Sequence, residues 1–119
     1  MGINEAVPGK IVVEPEVLKT IARLTTQKVA GVAQIYQKVE GERFLGLGRN
    51  PVEVCVNEGR VSVEVHVLAD HEVSLLRLGK TIQKEVTQAI QRMIEMPVDV
   101  VNVYIEDVIS EPLPVAESA

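Results

Sequence analysis

Two stretches of the chain alternate apolar and polar residues with period two. Val52, Val54 and Val56 alternate with Glu53, Cys55 and Asn57, and Val61, Val63, Val65, Val67 and Ala69 alternate with Ser62, Glu64, His66 and Leu68. Between them Asn57-Glu58-Gly59-Arg60 reads as a turn, with Gly59 suited to positive φ. The pattern predicts a hairpin with one apolar face. The period then changes. Leu75, Leu78, Ile82, Val86, Ala89, Ile90, Met93 and Ile94 advance by three or four residues and predict one amphipathic helix of about five turns. Ser74 stands where its cap belongs, Val73 and Leu78 have the spacing of a hydrophobic staple, and Pro97 closes the helix. Residues 98–105 are largely apolar on both faces, which suits a central or doubly covered strand.

Upstream the signals are shorter. Residues 10–13 form a β-prone run. Glu14-Pro15 then opens a helix, because proline at the first helical position loses no hydrogen bond. That helix presents Val17, Leu18, Ile21, Leu24 and Thr25 on one face, carries Lys28 in its last turn and stops at Gly31. Residues 32–39 read as a weaker strand. Residues 41–51, with three glycines and a proline, read as a loop.

The predicted order is β-α-β-β-β-α-β. It implies an α+β fold: a single two-layer domain, a mostly antiparallel sheet with two helices packed on one face, and the last helix and strand forming a crossover unit. The expected boundaries are a flexible N-terminus over residues 1–8, the domain over 9–108, and a flexible acidic tail over 109–119.

Composition narrows the chemistry. The chain has 119 residues, enough for one core. Its only aromatics are Tyr36, Phe44 and Tyr104, so stacking platforms for bases are few. The net charge of −5 makes no strong case for a nucleic-acid partner, which needs clustered Lys and Arg. Cys55 is the sole cysteine and fits a reducing compartment. No signal-peptide pattern and no apolar run of the ~20 residues needed for a membrane span are visible, so direct membrane insertion is not expected. The expected location is cytoplasmic, with a membrane reached only through a partner.

Candidate sites divide into weak chemistry and plausible docking. Cys55 sits in a valine-rich strand without nearby bases and reads as an inert strand residue. His66, Asp70, His71 and Glu72 have metal-ligand chemistry, but no second cluster completes a site, and strand-end residues of this kind are ordinarily solvated. Gly46-Leu47-Gly48-Arg49 lacks the strand before it and the helix after it that a phosphate cradle needs. Glu14 with Glu16, and Glu106 with Asp107, look like element-end residues rather than an acid/base pair. No cofactor, metal or catalytic residue is expected. Two partner-binding candidates remain. Phe44, Leu45 and Leu47 crown the glycine-rich loop, and Arg77, Lys80, Lys84 and Arg92 make the outer face of the second helix basic on an acidic protein. The bland alternatives are a loop folded back on the sheet and a solvated helix face that offsets the C-terminal dipole.

Several segments together resemble a known family. Gly9-Lys10-Ile11-Val12-Val13-Glu14-Pro15-Glu16 followed by Leu18, Ile21 and Ala22, the Val29-Ala30-Gly31-Val32 step, the valine hairpin, and Met93-Ile94-Glu95-Met96-Pro97-Val98 leading into Val100-Val101-Asn102-Val103-Tyr104-Ile105-Glu106-Asp107-Val108 are similar to the alkaline shock proteins, or Gls-type general stress proteins. The resemblance spans roughly residues 9–108. It departs at Asp70-His71-Glu72, where the family commonly has Tyr-Gly, and at Pro97, near an expected glycine. It implies a non-enzymatic cytoplasmic interaction or scaffold protein linked to cell-envelope stress or homeostasis. It also implies homo-oligomerisation and, in one type, a small membrane-anchoring partner. Alternative functions are a small regulatory domain of acetyl-CoA carboxylase or fatty-acid metabolism and a KH-like RNA-binding module. The latter lacks its Gly-x-x-Gly clamp between helices.

Overall fold

The valine alternation closes into the centre of the molecule. In the computed structural model, which describes residues 8–35 and 51–109, β2 (Val52–Asn57) and β3 (Arg60–Ala69) form the expected hairpin. Glu58 and Gly59 both take positive φ, 55° and 77°, the backbone twist that a two-residue hairpin favours. The apolar positions of β3 are fully buried: Val61, Val63, Val65, Val67 and Ala69 are at most 1 % exposed.

Around β3 stand β1 (Val32–Ile35), α1 (Pro15–Gln27), α2 (Leu75–Ile94) and β4 (Val98–Val108). β1 and β2 both run antiparallel to β3, β1 against residues 67–69 and β2 against residues 60–65. β4 pairs parallel with β3 along its length, so β1 and β2 share one edge of β3 and β4 occupies the other. The parallel pair is the crossover expected of the last helix and strand, and it makes the sheet mixed. Both helices lie on one face, α1 over β1 and β2, α2 over β4 and against α1.

The local signals explain the helices. Ser74 Oγ accepts the Arg77 N–H (3.3 Å), and Val73 packs against the core as the staple spacing requires. Glu95 takes a left-handed φ of 56° and ends α2 before Pro97 is reached. α1 begins at Pro15 after an extended Glu14 whose side chain makes no cap bond.

Five expectations are corrected. β4, expected as a central or doubly covered strand, pairs with β3 alone among the described strands and leaves Val100 and Tyr104 more than 40 % exposed. Residues 10–13 form no strand: Ile11, Val12 and Val13 are exposed and pair with none of the described strands. The buried stripe of α1 is Leu18, Ile21, Ala22 and Thr26, and it leaves Val17 and Leu24 more than 40 % exposed. The stripe of α2 narrows to Leu78, Ile82, Val86, Ala89 and Ile90, with Leu75 and Met93 at its exposed margins. Ile109, expected in the flexible tail, still donates its N–H to the Ala69 carbonyl (2.9 Å). The remainder of the tail, the N-terminal residues 1–7, and residues 36–50 with the later half of the weaker strand lie outside the described residues.

Candidate functional site

Two layers give the domain two outward faces, and their charges differ in sign. The first is the solvent side of α2. Arg77, Lys80, Lys84 and Arg92 are all exposed, and at 100° per residue they fall within an arc of roughly 120° opposite the buried stripe. No salt bridge joins any of them to another described residue. Glu85, the acid between them in sequence, turns toward the margin of the arc. There it lines a groove of about 400 Å³ between α2 and the end of α1, together with Arg92, Lys28, Thr25 and Gln88. Arg77, Lys80 and Lys84 are thus the purely basic part.

The helix dipole does not account for them. Arg92, in the last turn, suits the negative end. Arg77 is the third helical residue, where the positive end of the dipole favours an acid, and the first turn contains none. A cation held at the wrong end of a helix is a local cost without a local return.

The second face is the helix-free side of the sheet, built from the polar positions of the alternation. Glu53 lies directly opposite Glu64, and Glu64 in turn pairs with Asn102 on β4. Like charges opposed across two strands destabilise a sheet slightly. A shallow hollow of about 260 Å³ is lined here by Glu53, Cys55, Ser62, Glu64 and Asn102. Cys55 is exposed in it, not buried with the valines.

On the same face His66 departs from the solvated strand-end residue expected. It is 4 % exposed. Its ring stacks on Tyr104, its partner in the β3–β4 register, with centroids 4.7 Å apart and 13° between planes. Its Nδ1 donates to Glu106 Oε2 (2.5 Å). Its Nε2 has no hydrogen-bond partner among the described residues, and Glu64 Oε1 stands 3.9 Å away. Asp70 is exposed beyond the end of β3, and no group of three His, Cys, Asp or Glu among the described residues is placed to hold a metal ion. The ring is held by its stack on Tyr104 and its bond to Glu106. Replacing His66 by Phe should keep the stack, remove the unpartnered nitrogen and leave Glu106 to solvent, so thermal stability should change by less than about 1 kcal/mol. A loss above about 2 kcal/mol would show that the His66–Glu106 hydrogen bond, and not the stack alone, holds this part of the sheet.

Phe44, Leu45 and Leu47, and the glycine pair at 46 and 48, lie outside the described residues. The cluster of His66, Tyr104 and Glu106 was not legible beforehand. Tyr104 and Glu106 stand some 40 positions from His66 and meet it only through the parallel register of β3 and β4.

The model of the alkaline shock protein family, described by a "cell envelope-related function", matches residues 4–110. The uncharacterized protein Spy1535 of Streptococcus pyogenes serotype M6 is 30 % identical over 108 residues, covering 89 % of this chain and 84 % of that protein. The uncharacterized protein YqhY of Bacillus subtilis strain 168 is 24 % identical over 101 residues, covering 82 % and 75 %. Among solved structures, MamM-CTD H285A superposes with a TM-score of 0.51 at 13 % identity, covering 79 % of this chain and 98 % of that one, a likeness of fold alone.

Proposed function

The chain belongs to the alkaline shock protein family, whose function is cell envelope-related, and from that premise we propose that it acts without catalysis, as an interaction and scaffold protein. In this reading it associates with itself and docks an anionic partner on the outer face of α2. A small membrane-anchored protein with an acidic segment is the partner that joins this surface to the envelope. The protein itself stays cytoplasmic and peripheral, in keeping with the absence of any described helix long and apolar enough to cross a membrane.

The observation that carries the reading is the placement of Arg77, Lys80 and Lys84. They are exposed, unpaired among the described residues, and unexplained by the dipole of the helix that bears them. Clustered exposed cations attract an anionic surface and speed its approach.

Changing all three to Glu tests this directly. The substitution at position 77 places Glu three residues after the Ser74 cap, which creates a capping box. The helix should therefore hold, and the thermal midpoint should move little. Crosslinked pull-downs from native cells, with membrane and soluble fractions kept separate, should lose the partner by on the order of tenfold or more. Equal recovery by the wild type and the triple variant at matched salt would reduce the face to ordinary solvated surface.

A further inference from the structure

Two parts of the described chain are unfinished in complementary ways. One is the segment 10–13. Ile11, Val12 and Val13 are β-branched residues with strong strand preference, yet they belong to no element, and Ile11 is 95 % exposed. The segment leaves the domain at a corner where Val13 and Pro15 line an apolar hollow of about 330 Å³ with Leu18, Val56, Ile94 and Met96.

The other is the outer edge of β4. The hairpin pairs Asn57 with Arg60, and the His66 N–H donates to the Pro51 carbonyl, so the even-numbered residues of β3 bond toward β2. The Val61 N–H donates to the Pro97 carbonyl and the Ala69 carbonyl accepts from Ile109, so the odd-numbered ones bond toward β4. With Val63, Val65 and Val67 in register with Val101, Val103 and Ile105, the parallel ladder engages the backbone of residues 100, 102, 104 and 106. The N–H and C=O groups of Val101, Val103 and Ile105 then point away from β3. The Val101 carbonyl accepts from Gln83 Nε2 on α2 (3.1 Å). Val103 and Ile105 have no such cover among the described residues.

We propose that the two parts complete each other between copies: residues 10–13 of one molecule add as a strand to the β4 edge of the next, bonding to the backbone of Val103 and Ile105. The inference rests on the self-association proposed above and names its surfaces. β4 carries none of the lysines or prolines that ordinarily guard a free edge. Charge favours the pairing as well. β4 bears no cation, and of its three acids Asp99 is held by Arg60 and Glu106 by His66, which leaves Asp107 unpaired among the described residues, whereas the segment brings Lys10 and no acid before Glu14. The outer side of β2 is a poorer acceptor, because Pro51 and Val52 there share a hollow with Glu16, Thr20 and Arg23 of α1. Donor and acceptor are different surfaces, so the contact is heterologous and propagates into rings or open filaments.

The test uses the full chain and two variants, each with one half of the contact removed. The donor variant carries Ile11→Asp with Val12→Pro, outside any element, so its fold is not at stake. The acceptor variant is Val103→Pro, which removes an outward N–H and no β3–β4 bond. Light scattering across a concentration series should show assembly of the wild type and a weakening on the order of tenfold or more in each variant. Mixed together, the two variants should form a dimer and stop, since one junction remains. Hydrogen exchange should show protection of the Val103 and Ile105 amides that rises with wild-type concentration. If the wild type assembles and both variants assemble equally well, strand addition is wrong while self-association stands. A wild type that stays monomeric throughout removes self-association and this inference with it. Should Val103→Pro fail to fold, the donor variant and the exchange data decide alone.

Discussion

Replacing Ile82 by Ala is expected to lower the thermal unfolding midpoint by roughly 10–20 °C. Ile82 is fully buried near the middle of α2, one turn from both Leu78 and Val86, and belongs to the same core as the valines of β3. Truncating a buried Ile to Ala costs about 2–5 kcal/mol, and the value within that range depends on how far the neighbours collapse into the space left behind. Here they can collapse little. Among the described residues the buried core contains Leu, Ile, Val and Ala and no aromatic ring, and β-branched side chains hold one χ1 rotamer. A domain with about 5–15 kcal/mol of total stability then loses a large share of it. Scanning calorimetry of Ile82→Ala beside Leu76→Ala makes the measurement specific, because Leu76 sits on the same helix and is 71 % exposed. The Leu76 change should shift the midpoint by no more than a degree or two. Similar shifts for both would mean that α2 does not pack as described.

That contrast also marks how far the sequence carries. Leu76 and Ile82 are both large and apolar within one helix, and only the three-to-four spacing separates them. It did so correctly, since Leu76 falls outside the stripe. The spacing failed at the margins, at Leu75 and Met93 on α2 and at Val17 and Leu24 on α1, because periodicity fixes the direction of a face but not the width of what covers it. Local chemistry fared better where a single contact decides the outcome. The Ser74 cap and the turn at Glu58-Gly59 are both present. Pairing is a different matter. Ile11-Val12-Val13 has the composition of a strand, but a strand exists only where another backbone receives it, and none of the described ones does. The same limit hid the His66 cluster, whose partners come from a register between β3 and β4 that no local pattern encodes. The basic residues of α2 were visible in sequence. Their exposure and their mismatch with the helix dipole needed the helix boundaries, which set Arg77 three residues after the cap.

Gly31→Ala should be the second most damaging change, and a double variant can show why. Gly31 joins α1 to β1 with φ at +104°. Its carbonyl accepts the Asp70 N–H (2.8 Å), so the backbone there is pinned to the end of β3. Three other described residues have positive φ without being glycine, Glu58, Glu72 and Glu95, but they lie at 55–61°, in the left-handed well that L-residues can reach. An angle of +104° is well beyond it, and holding a side chain there costs about 1–3 kcal/mol. A Cβ on Gly31 would also stand 3.2 Å from Leu78 Cδ1 and 3.7 Å from Val73 Cγ1, inside the staple that seats α2. The combined loss should be about 2–4 kcal/mol, read as a fall in the urea midpoint with little change in slope. The two causes separate in a cycle with Leu78→Ala. If crowding dominates, shortening Leu78 relieves part of the Gly31→Ala cost, and the double variant is more stable than the sum of the single effects predicts. If the backbone angle dominates, the two losses simply add. Additivity is the expected result, because the Leu78 side chain can rotate away from a methyl group, whereas Gly31 cannot change its φ without releasing Asp70.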